Sequence, residues 1–155
     1  MVELVRNAVR RRNSWWTTLV AYVAVTKPAS VLLLVFTALG GIVVAGGAGW
    51  PMRFWLLALS AITAGCAGAN TLTCYIDRDI DGLMDRTKGR PLPQGRIEPP
   101  KRALIWGLCL IIISLALAAA LNLLSFVWMA LGLFDNVVIY SLWSKRRTPL
   151  NVMLG

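Results

Sequence analysis

Long stretches without charged side chains limit how this chain can fold. Residues 28–52 and 54–76 carry no charge, and residues 103–144 carry only Asp135. A helix needs roughly 20 residues to cross the hydrocarbon core of a bilayer, so the last stretch is long enough for two helices with a turn between them. The sequence therefore predicts an all-α, multi-spanning membrane bundle, with helices near 19–45, 54–76, 103–121 and 126–144.

The basic residues indicate how such a bundle is oriented. They precede or open the first predicted helix, fill the connection between the second and third (residues 77–102) and follow the fourth. Only Arg53 lies on the other side. Cytoplasmic segments carry an excess of Lys and Arg, which places both ends of the chain and the 77–102 loop in the cytoplasm. This topology and contact with anionic membrane lipid explain the net charge of +9, so no nucleic-acid partner is expected.

Oxygen-bearing side chains at helical spacing mark the start of that loop. At roughly 100° per residue, Asn70, Thr73, Asp77 and Asp81 share one helical face, whereas Asp79 points away. Two carboxylates four residues apart repel each other unless a cation intervenes, and oxygen ligands suit a hard cation such as Mg²⁺. These four residues are candidate metal ligands, and the two aspartates are candidate catalytic residues. The plain alternative is a solvated loop with weak Asp–Arg pairs.

Basic residues just beyond the acids are candidate ligands for a diphosphate. Arg86 and Arg90 lie one helical turn apart, so their guanidinium groups can approach the same oxyanion. Pro91 and the residues after it turn the chain back towards the bilayer. A set of aspartates and arginines suits a metal–diphosphate group better than either residue type alone.

Asp135 is the other conspicuous residue, since it lies near the middle of the fourth predicted helix. An ionisable group at membrane depth is costly and usually faces a protein interior or a water-filled cavity. We therefore favour a cavity-lining position over a protonated acid without a role. The chain contains no histidine, which rules out a Ser-His nucleophile system.

The acidic and basic run is also the part that resembles a known family. Residues 74–93, with Asp77, Asp81, Arg86 and Arg90, closely resemble the first acidic region of the UbiA-type intramembrane prenyltransferases. Within that superfamily the run is most similar to the protoheme IX farnesyltransferase (haem O synthase) branch. Two flanking segments resemble the same branch, namely residues 26–28 and 140–149.

The resemblance implies an Mg²⁺-dependent prenyltransferase. Members of this branch bind farnesyl diphosphate through Mg²⁺, ionise it and attach the farnesyl group to a vinyl group of haem b, which gives haem O. By position, Asp77 and Asp81 match the metal-bridging acids. The bases expected near the diphosphate are Arg86, Arg90 and, at the same cytoplasmic mouth, Lys145.

Two departures from the family pattern affect these expectations. The family usually has Asn where this chain has Thr73, so Asn70, one turn earlier, is the expected substitute. The family fold also has about nine helices and a second acidic region in its later half. Residues 1–155 are thus expected to form a single membrane domain equivalent to the N-terminal half, inactive alone and partnered by the missing C-terminal half.

Other functions stay open at this point. The chain could belong to a UbiA-type polyprenyltransferase with an aromatic or chlorin acceptor. It could instead be a small membrane carrier or metal-permeating subunit, with Asp135 and the acidic mouth lining a path. A pore is expected to repeat polar residues along several helices, and here they are sparse. An inert assembly subunit would leave the acidic helical face unexplained.

Overall fold

The computed structural model describes residues 15–85 and 87–144, and within these ranges the chain is helical with no β-strand. A 3₁₀ turn, Gly47–Gly49, joins the second helix to the third, and a π-helical segment, Asp135–Ser144, continues the fifth. The all-α class predicted from the sequence is confirmed. The five α-helices are α1 (Trp15–Val25), α2 (Pro28–Val44), α3 (Met52–Asp81), α4 (Lys101–Leu121) and α5 (Leu123–Phe134).

The helices have the length and composition of a membrane bundle. Both α3 and α4 are long and apolar enough to cross a bilayer, and the bent pair of α1 and α2 provides a third span if it is taken as one unit. The fourth predicted span corresponds to a shorter apolar helix, Leu123–Ile139. A multi-spanning helical architecture is therefore confirmed, whereas the count of four spans stays a prediction.

The structure corrects the first predicted helix, 19–45, which is divided into α1 and α2 with an angle of 47° between them. The break is at Lys27, whose φ of 54° lies in the left-handed region, and Pro28 follows as the first residue of α2. Proline lacks an N–H and disfavours the helical conformation of the residue before it. A proline that was expected inside one helix instead begins a second.

Side chains of α3 bind the carbonyl groups at the break. The Asn70 Nδ2 donates to the carbonyl oxygen of Thr26 at 2.9 Å, and the Cys74 Sγ donates weakly to that of Val25 at 3.6 Å. The last carbonyl groups of a helix have no partner within the helix itself. These two bonds therefore satisfy the end of α1 and fix it against α3.

The third helix is longer than the predicted range of 54–76, since it continues through Asp81. No proline or glycine occurs between Gly68 and Gly82, so nothing in the sequence ends the helix sooner. The amide of Gly82 still donates to the carbonyl oxygen of Arg78 at 3.2 Å. The loop consequently spans residues 82–100 instead of the predicted 77–102.

A single residue, Asn122, separates α4 from α5. The turn predicted between the third and fourth helices is therefore present at this position. Its φ is −172°, and its side chain caps α5 by accepting a hydrogen bond from the amide of Ser125 at 2.7 Å. The fourth predicted helix, 126–144, is not uniform, because α-helical geometry ends at Phe134. The π-helical segment that follows is an uncommon geometry that often accompanies functional sites.

Small residues bring α3 and α4 into close contact. A Cβ added to Gly68 would lie 2.9 Å from the carbonyl oxygen of Gly107. Ser114 is fully buried and donates to the carbonyl oxygen of Ala61 at 2.7 Å. In a bilayer, small residues allow helix backbones to approach, and interhelical hydrogen bonds hold them together. This contact fixes α3, which carries the acidic residues.

We expect Gly68→Leu to lower the midpoint of thermal unfolding in detergent, because its side chain must displace the backbone of α4. Overpacking of this kind costs about 1–3 kcal/mol. Gly41→Leu is the matched control, since a Cβ at Gly41 meets no atom within 4 Å. Both variants gain the helix propensity that glycine lacks, about 1 kcal/mol. A midpoint for Gly68→Leu at or above that of Gly41→Leu would contradict a close α3–α4 contact.

Candidate functional site

The loop-side end of α3 carries two buried carboxyl groups on consecutive turns. Asp77 is 2% exposed and Asp81 is 3% exposed. Asp79, between them in the sequence, has a side chain that is 75% exposed and pairs with Arg78 at 3.4 Å. The helical spacing therefore separates the two kinds of aspartate as expected, with Asp77 and Asp81 turned towards the protein and Asp79 turned away.

The loop returns to Asp81 through two polar contacts. The Arg90 Nη1 lies 2.6 Å from the Asp81 Oδ2, and the buried Thr87 Oγ1 donates to the Asp81 carbonyl oxygen at 3.0 Å. A hydrogen bond between two charged groups is roughly twice as strong as one between neutral groups. The contact with Arg90 therefore fixes a guanidinium group beside the carboxyl pair.

An apolar cluster holds the loop in this position. Leu92 and Ile97 are 7% and 2% exposed, and burying such a side chain contributes about 1.5–3 kcal/mol. Between them the chain turns at Gly95, whose φ is +64°. The loop is thus folded against the bundle, unlike the solvated loop considered as the plain alternative. The cluster is completed by residues of α1, α3 and α4: Ala21, Val25, Cys74 and Ala103.

Asn70 and Thr73, the other two predicted metal ligands, make structural hydrogen bonds on the same face of α3. Asn70 uses its Nδ2 to bind the end of α1, as described above, and the Thr73 Oγ1 donates to the carbonyl oxygen of Asn70 at 2.9 Å. Both bonds use donor groups, and the side-chain oxygens are themselves able to accept a hydrogen bond or coordinate a metal ion. Metal ligation by either residue stays a prediction.

Two of the predicted diphosphate ligands, Arg86 and Lys145, lie outside the described residues. Arg90 is the predicted base whose position is known, and it lies beside Asp81. Among residues 15–85 and 87–144, no group of three or more His, Cys, Asp or Glu side chains could hold a metal ion. The two buried aspartates therefore form the acidic part of the candidate site in this portion of the chain.

An apolar cavity of about 210 Å³ lies along the same face of α3, further from the loop. The residues of α3 that line it recur every three or four positions, and Asp77 and Asp81 continue that stripe. Trp128, Met129 and Gly132 of α5 form the facing wall. The stripe on α3 consists of Ile62, Gly65, Cys66, Ala69 and Asn70.

The π-helical segment adds a polar residue to this cavity that the sequence analysis missed. Asn136 lines the cavity, whereas Asp135, which was expected to do so, does not line it and is exposed. The expectation for Asp135 is corrected because Asn136, and not Asp135, continues the face formed by the cavity-lining residues of α5, namely Trp128, Met129, Gly132 and Leu133. Asn136 follows Gly132 by four residues, which is one ordinary helical turn.

Comparison with known protein families assigns the chain to a class. Residues 33–155 match the model of the UbiA prenyltransferase family, and the chain belongs to this family. The match begins in α2 and includes α3 and the loop, so Asp77, Asp81 and Arg90 all lie within it. The predicted resemblance to this superfamily is confirmed.

The relatives of the chain include several proteins named protoheme IX farnesyltransferase. The chain is 52% identical to the one from Desulforudis audaxviator, over 93% of this chain and 46% of the relative. Those from Thermoplasma volcanium and Neorickettsia sennetsu are 46% and 43% identical, over 86% and 90% of this chain and 47% of each relative. The chain thus spans about half the length of the curated relatives it matches. No solved structure matches it.

We expect Arg90→Gln to loosen the loop, because it leaves the buried carboxyl group of Asp81 without its charged partner. The loss is about 1–3 kcal/mol of loop stability. Hydrogen exchange of the amides of residues 87–97 should then accelerate several-fold. Lys88→Gln is the matched control, since the Lys88–Asp85 pair is exposed, at 63% and 96%, and such pairs contribute little. Equal exchange rates in the two variants would contradict a structural role for the Arg90–Asp81 pair.

Proposed function

We propose that the protein transfers a farnesyl group from farnesyl diphosphate to a vinyl group of haem b, which gives haem O. Membership of the UbiA prenyltransferase family supports prenyl transfer. Similarity to proteins named protoheme IX farnesyltransferase, at 52% identity in one case, supports haem as the acceptor. The observation that carries the proposal is the buried pair of Asp77 and Asp81 at the end of a membrane helix.

The carboxyl pair fits a divalent metal ion, on which UbiA prenyltransferases generally depend. Mg²⁺ is usually bound through one or two carboxylates together with substrate phosphates, and Asp77 and Asp81 supply that number. We propose that these two residues hold Mg²⁺, with Asn70 and Thr73 as neighbouring neutral ligands. When bound, the metal ion supplies positive charge that offsets the charge of the departing diphosphate.

Arg90 is proposed to contact the diphosphate directly. A guanidinium group has five donors, and the recorded contact with Asp81 involves Nη1. The side chain is 30% exposed, so its other donors can reach a phosphate oxygen while the pair with Asp81 keeps the group in place. Arg86 and Lys145 are proposed to add further positive charge around the same diphosphate.

The apolar cavity is proposed to receive the isoprenoid chain. Its nearest polar residue on α3, Asn70, lies two turns from Asp77, which is roughly 10 Å along the helix. A diphosphate at the loop-side end would therefore place its hydrocarbon chain among the side chains of α3 and α5, away from water. Exclusion of water from this region protects the allylic cation until the acceptor captures it.

The proposed reaction balances without an oxidant or a reductant. The C–O bond between the farnesyl group and the diphosphate breaks, and the diphosphate leaves with the electron pair. The π electrons of the haem vinyl group form the new C–C bond. Water then captures the resulting cation and loses a proton, which leaves a hydroxyl group on the product.

We also propose that the loop of residues 82–100 faces the cytoplasm from the cell inner membrane. Support comes from the concentration of Lys and Arg in this loop and beside it, since such residues are enriched on the cytoplasmic side. With four spans, both ends of the chain lie on that side as well. Farnesyl diphosphate, which is charged, would then enter from the cytoplasm.

Replacing either buried aspartate by asparagine should abolish turnover in the enzyme completed by the C-terminal half, and should weaken Mg²⁺-dependent binding of farnesyl diphosphate by about tenfold or more. The measurement is binding of radiolabelled farnesyl diphosphate to the protein in lipid nanodiscs, titrated with Mg²⁺. Asp79→Asn is the control, because this carboxyl group is exposed on the other face. Asp77→Asn tests metal binding more directly than Asp81→Asn does, because Asp81 also binds Arg90 and its loss would disturb the loop. Undiminished binding with the same Mg²⁺ dependence would remove these residues from the metal site.

The identity of the acceptor can be tested separately. Membranes that contain residues 1–155 together with the C-terminal half that the resemblance implies should convert farnesyl diphosphate and haem b to a farnesylated haem, detected by mass spectrometry. They should give no product with an aromatic or chlorin acceptor. Boiled membranes and membranes with the Asp77→Asn variant are the controls. If product formed only with the aromatic or chlorin acceptor, haem would be wrong as the acceptor, whereas the assignment of prenyl transfer would stand.

A further inference from the structure

A groove of about 550 Å³ opens between α1 and α4. It shares no lining residue with the cavity beside α3. Its walls are almost entirely apolar, and Leu19, Val23 and Ile105 on these walls are 49–60% exposed. The rings of Tyr22 and Trp106, which both line this groove, meet edge to face at 5.8 Å and join the two walls.

The groove has a cation at its loop-side mouth. Arg102 is the charged residue among those that line it, and it stands in the first turn of α4, next to the loop. From Arg102 the wall extends to Cys109, which is roughly 10 Å along the helix. The groove is apolar along its length and has one arginine at its entrance. It therefore complements a molecule with an anionic head and a hydrocarbon chain.

We propose that this α1–α4 groove binds an acyl chain of an anionic phospholipid from the loop-side leaflet, with the lipid phosphate against Arg102. Basic pockets between membrane helices bind such head groups. Residues 1–14 are a poorer occupant, because their four arginines have the same sign as Arg102. A zwitterionic lipid has no net charge to pair with the guanidinium group.

The groove also borders the cluster that anchors the loop. Tyr22 lines the groove and packs against that cluster, to which α1 contributes Val25 and α4 contributes Ala103. A lipid chain between α1 and α4 would therefore stabilise the surface on which Leu92 and Ile97 rest. The bound lipid is thus expected to stabilise the loop that positions Arg90, whatever reaction the site performs.

Native mass spectrometry of the protein with added phosphatidylglycerol or phosphatidylcholine tests this proposal. The wild type should retain one phosphatidylglycerol in preference to phosphatidylcholine. Arg102→Gln should weaken that binding about fivefold, equivalent to ~1 kcal/mol. Lys101→Gln is the matched control, because the adjacent base does not line the groove and its loss should matter less. Cys109→Trp, which fills the apolar end without changing charge, should also weaken binding.

Each other outcome overturns the proposal. Equal retention of the two lipids by the wild type would show that the anionic head group is not recognised. Equal binding by Arg102→Gln and Lys101→Gln would reduce the effect to general surface charge. Undiminished lipid binding by Cys109→Trp would place the lipid elsewhere. If the wild type formed a dimer, and Cys109→Trp abolished the dimer without releasing lipid, the groove would be assigned to a second copy of the chain.

Discussion

Burial of two carboxyl groups one helical turn apart is the constraint on which the loop-side half of the structure depends. Burying an ionised carboxylate without compensation is costly, and two of them at this spacing repel each other. Asp77 and Asp81 are nevertheless among the most buried polar residues described. The loop supplies part of the compensation, because its return brings the guanidinium group of Arg90 to Asp81. This buried carboxyl pair beside Arg90 is the arrangement that we propose to receive a cation.

The break at Lys27 serves the same region. A straight first helix would carry residues 15–25 in the direction of α2, whereas the bend of 47° leaves α1 beside the loop and α4. Ala21 and Val25 then contribute to the cluster that holds Leu92 and Ile97. The carbonyl groups that the break exposes are bound by Asn70 and Cys74, which lie within two turns of Asp77. Asn70, predicted as a metal ligand, therefore has a positioning role that is observed directly.

Local sequence signals predicted the parts of the structure that depend on local interactions. The apolar length of α4, the break at Asn122 and the shared face of Asp77 and Asp81 follow from composition and helical periodicity. The contact between Arg90 and Asp81 could not be derived in this way, because it depends on a loop that packs against α1. Pro28 was visible, but proline is tolerated within membrane helices, so the sequence alone did not distinguish a new helix from a continuing one.

The candidate site shows where residue type alone is a poor guide to position. Asp135 was expected to line a cavity because an ionisable group is costly at membrane depth. The cavity is instead lined by Asn136, which continues the face of Met129 and Gly132 at α-helical spacing. The sequence alone did not show which face of α5 is turned towards the cavity. Thr87 was missed for a different reason, since its hydroxyl group binds a backbone carbonyl oxygen, and such contacts depend on the path of the chain more than on the residue type.

Two kinds of packing meet at the candidate site. Within the bundle the buried residues of α3 and α4 are mostly small, as at Gly68 and Ser114, because hydrocarbon tails offer no hydrophobic driving force and close contact must supply the stability. At the loop end, Leu92 and Ile97 are buried where water competes, so the hydrophobic effect acts in full. The loop can thus fold as a small water-side core on a membrane helix. The carboxyl groups lie where these two regions join, with the apolar cavity on one side and Arg90 on the other. This junction suits a substrate that is charged at one end and hydrocarbon at the other.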